Sequence, residues 1–355
     1  MKPDPLIIQT TQRIFSDLAN PQNVLNTSRD WQIPLCKALS DAGLLTAWCS
    51  EDMGGSGASL LDGFAIQQVT GQFCTPIPLA ETLLASWLLE QSGITPKKEL
   101  MTVATPTKAQ NLTLGKDNLL HGTLEDIPFA SQVNSIVAFT TDPEPNVVVI
   151  PTAECGIVPI RNAAEEPRDR ISCNSITPLN SSSNLANFKN KAGPEKLLLM
   201  GALMRSLQIT GAIQTLLNMS IDYSQDRSAF GRPIGKFQVI QHNLAIMAGE
   251  LSAALAATGA ATNSVLDDPI LGPDPYFNIA SAKIRVGEAA NQVAAIAHQI
   301  HGAIGFTQEH TLHSFTHRLW CWRDDFGNET EWSVKLGDQV AAAGHDALWP
   351  MITSG

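Results

Sequence analysis

Two segments of this 355-residue chain set a charge, an aromatic ring and carboxamides beside glycines. The first runs Tyr223-Ser-Gln-Asp-Arg227-Ser-Ala-Phe230-Gly231-Arg-Pro-Ile-Gly-Lys-Phe-Gln238; the second, about sixty residues on, is Gln299-Ile-His-Gly302-Ala-Ile-Gly305-Phe306. A guanidinium fork matches phosphate geometry and stays charged at every physiological pH. Carboxamides can hydrogen-bond a nucleoside, and glycine lets backbone come close to a ligand. Such groups hold a pyrophosphate and an adenosine rather than break bonds, so the reacting groups must come from elsewhere. Taken alone, Arg227 could equally cap a helix end or pair with Asp222 or Asp226.

The elements that must position these segments are helical. Ile7, Ile8, Ile14, Phe15 and Leu18 recur at helical spacing, and Leu83 to Leu89 is an apolar run too dense for a surface face, so residues 1–100 read as a helical domain. Between them Ser50-Glu-Asp-Met-Gly54-Gly55-Ser-Gly57 reads as a turn, lacking the glycine spacing of a dinucleotide fingerprint and the lysine of a P-loop. Residues 101–188 change texture, with β-rich runs at Ser135-Ile-Val-Ala-Phe-Thr140 and Asn146-Val-Val-Val-Ile150 bounded by Pro, Asp, Asn and Gly, the pattern of a small β domain. After a polar break at Ser181–Asn184 and Gly193-Pro194, residues 189–355 carry helical runs at 197–218, 239–265, 279–300 and 333–343. These are dense in Ala, Leu, Ile and Met, as in a bundle with small residues at close contacts.

Composition narrows the partners. Lys plus Arg number 23 against 34 Asp plus Glu, and the net charge of −11 disfavours nucleic acid or an anionic membrane as the main partner. The six cysteines (Cys36, Cys49, Cys74, Cys155, Cys173 and Cys321) include no C-x-x-C pair, which points to free thiols rather than a zinc site or a disulfide framework. With no apolar leader at the N-terminus and no run near eighteen apolar residues, a soluble cytoplasmic protein is expected.

The order helical, β, helical bundle, with Tyr-x3-Arg-x2-Phe-Gly-x6-Gln at the start of one bundle helix and Ala282-Lys283 through Asn291-Gln292 to Gln299-Ile-His-Gly302 in another, resembles the acyl-CoA dehydrogenase family. Gly43-Leu44 followed by Glu51-Asp-Met-Gly54-Gly55 is similar to the family's N-terminal signature, so the likeness spans nearly the whole chain. It implies a mainly α fold: an N-terminal helical domain, a small β-barrel or sandwich, and a C-terminal four-helix bundle. It also implies FAD at a subunit interface, an acyl-CoA thioester oxidised to the trans-2-enoyl-CoA, and electrons passed to an electron-transfer flavoprotein. By the same resemblance Arg227 would face the flavin's pyrophosphate and Phe230 would pack beside it. Gln238 and Gln299 would lie around the adenosine, and Gly302 would admit backbone to the cofactor.

The resemblance breaks at the base. Many family members carry a catalytic glutamate before a glycine late in the chain, and the ungapped count from Gln299 puts Phe326 in that slot, before Gly327. A second slot falls at Gly201, with Ala202 where an arginine is usual. The flavin-covering threonine loop is also missing, the region reading Leu100-Met-Thr-Val-Ala-Thr-Pro-Thr-Lys-Ala109. The adenosine-diphosphate contacts are kept while the ring contacts and base are lost. This resembles subunits of heteromeric α2β2 dehydrogenases of steroid and bile-acid side chains, in which two unlike chains share each flavin. The catalytic residue is therefore unassigned. Asp324, Asp325, Glu329 and Glu331 lie nearby, and a one-residue register shift would put Asp325 in the slot of a self-sufficient homo-oligomer. A non-catalytic scaffold of the same fold is the remaining alternative.

Two further clusters carry weaker chemistry. His310, His313 and His317 would share a helix face, but no Asp or Cys completes a ligand set and no metal is expected. Trp320, Trp322 and Trp332 read as core or interface anchors rather than a stacking platform. His301, inside the glycine motif, either touches the cofactor or packs.

Overall fold

The computed structural model describes residues 2–24, 32–106, 110–141, 145–182, 193–269 and 271–353. The protein is mainly helical with a central β region and a C-terminal helical bundle, as the sequence pattern implies. Cα packing divides it into two compact units, Met1–Thr10, Gln32–Gly63 and Pro76–Gly201 in the first, Thr11–Trp31, Phe64–Thr75 and Ala202–Gly355 in the second. The N-terminal helices are α1 (Pro5–Leu18), α2 (Pro21–Val24), α3 (Gln32–Asp41), α4 (Leu60–Phe73) and α5 (Leu79–Gln91).

In the first unit the dense apolar run forms α5, which is buried without a break from Leu79 to Leu89. A helix apolar all round has no solvent face and must sit inside a core. The turn after α3 uses its own amides: Gly55 N–H donates to Ser50 C=O at 2.9 Å and Gly57 N–H to Cys49 C=O at 2.8 Å. Donors spent in this way are not free to cradle a phosphate.

The β region holds two four-stranded sheets. One orders β1 (Met101–Val103), β4 (Ser135–Phe139), β5 (Val147–Pro151) and β8 (Asn180–Ser182); the other orders β2 (Asn111–Leu114), β3 (Leu120–Pro128), β7 (Arg168–Ile176) and β6 (Gly156–Val158). The two apolar runs seen in the sequence are β4 and β5, each buried at every position, which explains why they show no alternation. Leu112, Leu124, Ile136, Val148, Ile150 and Ile171 from both sheets share one core. The Met101 N–H donates to Thr82 Oγ1 at 3.1 Å, pinning β1 to α5. Thr107 to Ala109 of the short loop, and Ser183 and Asn184 of the polar break, lie outside the described residues.

The second unit takes its core from α6 (Pro194–Asp226), α7 (Gln238–Asp267), α8 (Pro273–His301) and α9 (Leu312–Asp324), followed by α10 (Glu329–Ala343) and α11 (His345–Thr353). Between α6 and α7 a small hairpin pairs β9 (Ser228–Ala229) with β10 (Arg232–Pro233). Ile213, Leu216, Met247, Val286, Val293 and Phe315 meet in a common core, and the alanines and glycines between them permit close helix approach. By length and composition α6 and α7 could each cross a membrane; the apolar stretch of α6 is 89% buried, that of α7 only 22%.

Lys283 of α8 is 1% exposed, and its ammonium donates to the Arg323 C=O at 2.6 Å and the Trp322 C=O at 3.3 Å. It thereby closes the C-terminal end of α9, where carbonyls have no partner within the helix. Burial pushes its pKa down to about 8, against the opposing pull of Asp325 and Glu329.

Because Leu84 in α5 is fully buried, Leu84→Ala should cost about 2–5 kcal/mol of unfolding free energy, measurable by urea denaturation.

Candidate cofactor site

The cationic motif does not start a helix. It spans the end of α6, the β9–β10 hairpin and the first residue of α7. Arg227 follows the last turn of α6; its N–H donates to the Tyr223 C=O at 2.9 Å and its C=O accepts from Ile234 N–H at 2.8 Å. The backbone is fixed on both sides while the guanidinium is exposed, and among the described residues it makes no ion pair. Phe230 and Gly231 form the hairpin tip with φ of 51° and 78°. Phe230 is 96% exposed, its ring edge-on to Phe237 at 6.3 Å. An aromatic ring held in left-handed backbone and presented to solvent contributes little to the isolated fold beyond its edge contact with Phe237.

The second motif meets the first through Tyr223. Its ring stacks on His301 at 4.5 Å and its hydroxyl donates to the His301 C=O at 3.3 Å. The ends of α6 and α8 are thus joined. Gln238 and Gln299 are exposed, and Gly302 ends α8 with φ 65° and ψ −143°, a conformation a β-carbon would strain. A Cβ built at Gly302 meets nothing within 4 Å, so the space beside it is open. All five residues, Arg227, Phe230, Gln238, Gln299 and Gly302, are exposed rather than enclosed. A cavity of about 450 Å³ in the second unit lies elsewhere, among Gln12, Gln72, Phe73 and Gln214.

This surface fits the adenosine-diphosphate half of FAD: an unpaired guanidinium for the diphosphate, amides for the nucleoside and an uncrowded glycine for backbone approach.

Behind it lies a cluster of imidazoles. His298 stacks against Phe306 at 4.1 Å and bonds Thr316 Oγ1 through Nε2 at 2.9 Å, while its Nδ1 is buried with no hydrogen-bond partner. The Nδ1–H of His301 donates to the Ala297 C=O at 2.8 Å, leaving Nε2 buried and unpartnered. His301 therefore packs against Tyr223 and faces His310 at 5.0 Å. His310 precedes α9, so only His313 and His317 share a helix face, their rings 6.0 Å apart. Among the described residues no three His, Cys, Asp or Glu side chains could hold a metal ion. Of the tryptophans, Trp322 and Trp332 are core and Trp320 is 38% exposed.

The turn around Phe326, where the ungapped sequence count places the base, has an anatomy of its own. Phe326 is buried with φ 56°, and its C=O accepts from Trp332 Nε1 at 3.0 Å. Gly201 is buried within α6. Asp325 pairs with Arg205 of α6, Oδ2 to Nε at 2.7 Å, with side chains 10% and 3% exposed. Arg205 also donates to Gln208, whose amide donates to Gln67 at 2.9 Å, and it lies 5.5 Å from the Trp322 ring centroid. Glu329 is paired with Arg323, and Asp324 and Glu331 are exposed. Arg205 escaped the sequence reading although it was visible as a lone cation in an apolar helical run, and Lys283 was noted there only as part of the α8 motif.

Residues 194–321 match the family model of the acyl-CoA dehydrogenase C-terminal domain. These residues, from α6 into α9, are the part of the chain that carries the likeness to that domain. The chain is similar to acyl-CoA dehydrogenase IpdE2 of Mycobacterium tuberculosis, 27% identical over 289 residues that cover 81% of this chain and 79% of that protein. Its fold is similar to that of the ChsE4-ChsE5 complex from Mycobacterium tuberculosis, with a TM-score of 0.81 at 19% identity over 96% of this chain and 97% of that one. A variant of the Tcur3481-Tcur3483 steroid ACAD also has a TM-score of 0.81, at 21% identity over 95% of this chain and 97% of that one.

Burial, and after it the neighbouring imidazoles or Arg318, holds His298, His310 and His317 below the ordinary histidine pKa; burial is also the leading cause for His301, against its bond to Ala297. With native values depressed, the unfolded chain takes up protons first as pH falls through about 6.5. Thermal stability should therefore drop from about pH 7 to about pH 5, and His301→Gln should flatten that dependence. Asp325→Asn leaves the Arg205 charge buried without its anion and should cost about 3–5 kcal/mol in urea unfolding.

Proposed function

We propose that this chain is one subunit of an FAD-dependent acyl-CoA dehydrogenase, supplying adenosine-diphosphate contacts to a flavin whose ring and catalytic base belong to a homologous partner subunit. The observation that carries this reading is the coexistence of an exposed cradle, Arg227, Phe230, Gln238, Gln299 and Gly302, with a base slot filled by Phe326. With FAD bound, the chemistry supplied is acceptance of a hydride from the β-carbon of an acyl-CoA thioester while a base removes the α-proton. In this reading Arg227 neutralises the diphosphate, Gln238 and Gln299 orient the adenosine, and Phe230 covers it from the interface. An electron-transfer flavoprotein is the acceptor.

Support for an unlike partner comes from the fold neighbours, one described as a complex of two chains and another as a steroid ACAD of two named chains. A steroid side-chain thioester is the substrate class this favours. A cytoplasmic location is part of the reading, supported by six free thiols.

The self-sufficient alternative needs a non-standard acid, such as Asp325, as base. Asp325 is held as the ion-pair partner of the buried Arg205, and this disfavours Asp325 in that role. The scaffold alternative leaves the unpaired, exposed Arg227 without a purpose.

The test is co-expression with a homologous subunit that carries the glutamate before glycine. The lone chain should purify nearly colourless and inactive, and the pair should carry flavin absorbance and dehydrogenase activity. Arg227→Ala should weaken flavin binding by the complex about 10- to 100-fold. Full flavin occupancy in the lone chain, or unchanged binding in the variant complex, would overturn the reading.

A further inference from the structure

Two cysteines face each other across the ladder between β6 and β7. The strands run antiparallel in unbroken register, with Gly156 opposite Ser172, Ile157 opposite Ile171 and Val158 opposite Arg170. One rung back along that register, Cys155 stands opposite Cys173, and Cys155 continues the strand with extended backbone at φ −90° and ψ 148°. Residues directly opposite in a ladder carry their side chains to the same face. Both side chains meet the apolar core shared by the two sheets, Cys173 fully buried and Cys155 half-buried at its margin.

The rung is a close one. The Cys155 N–H is spent on the Thr152 C=O at 3.1 Å rather than on Cys173, which makes this a non-hydrogen-bonded position. At such positions Cα atoms stand about 4.5 Å apart, and a disulfide accepts Cα separations of about 4.4–6.8 Å and Cβ separations of about 3.5–4.5 Å. On the neighbouring rung a β-carbon built at Gly156 falls 3.5 Å from the Cβ of Ser172, so the strands approach that closely here.

The two thiols are also unlike. The Cys173 S–H donates to the Cys155 sulfur, which holds Cys155 below the ordinary cysteine pKa against burial and the Glu154 charge. The same bond, and after it burial, pushes Cys173 up. Elsewhere in the chain burial pushes Cys36 up to about 11 and Cys49 up to about 12. A partly exposed thiol with thiolate character is the one an oxidant meets first, and a sheltered thiol beside it is placed to resolve the product.

We infer that Cys155 and Cys173 form a reversible oxidation site, a cross-strand dithiol that hydrogen peroxide converts to a disulfide between β6 and β7. The Cys155 thiolate attacks the O–O bond, takes one oxygen to become a sulfenic acid and releases the other as hydroxide, which the thiol's own proton turns to water. The Cys173 sulfur then attacks the Cys155 sulfur, the S–O bond breaks, and the departing hydroxide takes the Cys173 proton as a second water. Two thiols and one peroxide thus give one disulfide and two waters, and a thiol reductant reverses the step by exchange. The bridge fastens β6, a three-residue strand at the edge of its sheet, and closes residues 155–173 into a loop. Every residue of the site lies in the first unit and none belongs to the cradle, so the inference goes beyond the flavin reading and does not rest on it.

The experiment treats the full chain with equimolar hydrogen peroxide, caps the remaining thiols with N-ethylmaleimide and maps the products by non-reducing peptide mass spectrometry. The expected product joins the peptides of Cys155 and Cys173, lighter than their sum by two hydrogens, and dithiothreitol separates them. Loss of the Cys155 thiol should be roughly 10-fold faster than that of Cys36 or Cys321. The oxidised chain should unfold at a higher urea concentration than the reduced chain, because the closed loop restricts the unfolded state. In Cys173→Ser the Cys155 sulfenic acid should persist long enough for dimedone to capture it, and peroxide should no longer raise the urea midpoint. Mapping and unfolding of the unmodified chain decide the matter even if the serine variant fails to fold. The inference is overturned if oxidation leaves both thiols free, joins either one to another cysteine or another copy, carries Cys155 to a sulfinic acid beside a free Cys173, or forms the bridge as fast in the urea-unfolded chain.

Discussion

The contact between Tyr223 and His301 is the constraint on which the rest of the cradle depends. One ring stack and one hydrogen bond tie the last turn of α6 to the last turn of α8, elements separated in sequence by the whole of α7. With those ends joined, the hairpin carrying Arg227 and Phe230 and the glycine turn after Gln299 belong to one surface. Neither motif could address a ligand with the other if the two helix ends were free to splay. His301 serves this contact from a buried position, its Nδ1–H held by the Ala297 carbonyl, so its role is packing at the root of the site.

The surface built on that contact is open by construction. A protein that encloses its cofactor buries the groups that hold it, whereas here the guanidinium, the phenyl ring and both amides face solvent. Desolvating these groups falls to whatever docks against them, and a charged hydrogen bond strengthens as water leaves. Were a cofactor and a partner both to engage these side chains, their affinities would be coupled, each raising the other by an equal factor.

Much of this was legible in the sequence, unevenly and for physical reasons. The runs at 135–140 and 146–150 announced β4 and β5 because β-branched residues bounded by turn formers have few other uses. The long bundle helices α6, α7 and α8 were visible in alanine and leucine density, with boundaries set by prolines and the Gly302 cap. The α9 helix was not, because its histidines, arginines and threonine dilute the apolar period and its tryptophans suggest a cluster rather than an element. The placement of Tyr223 and Arg227 was misjudged by one helix, since the hairpin between α6 and α7 has strands of only two residues and gives no periodic signal. Arg205 and Lys283 could be read as cations in apolar context, but their partners lie 120 and 40 residues away and only the fold brings them together.

The Arg205–Asp325 pair also constrains what position 326 can hold. With Asp325 committed to neutralising a buried guanidinium, a glutamate in place of Phe326 would put a second carboxylate next to the first inside the same low-dielectric turn. The packing around Phe326 and the charge balance around Arg205 are in this sense one unit, and a change of sign at either would have to be answered at the other.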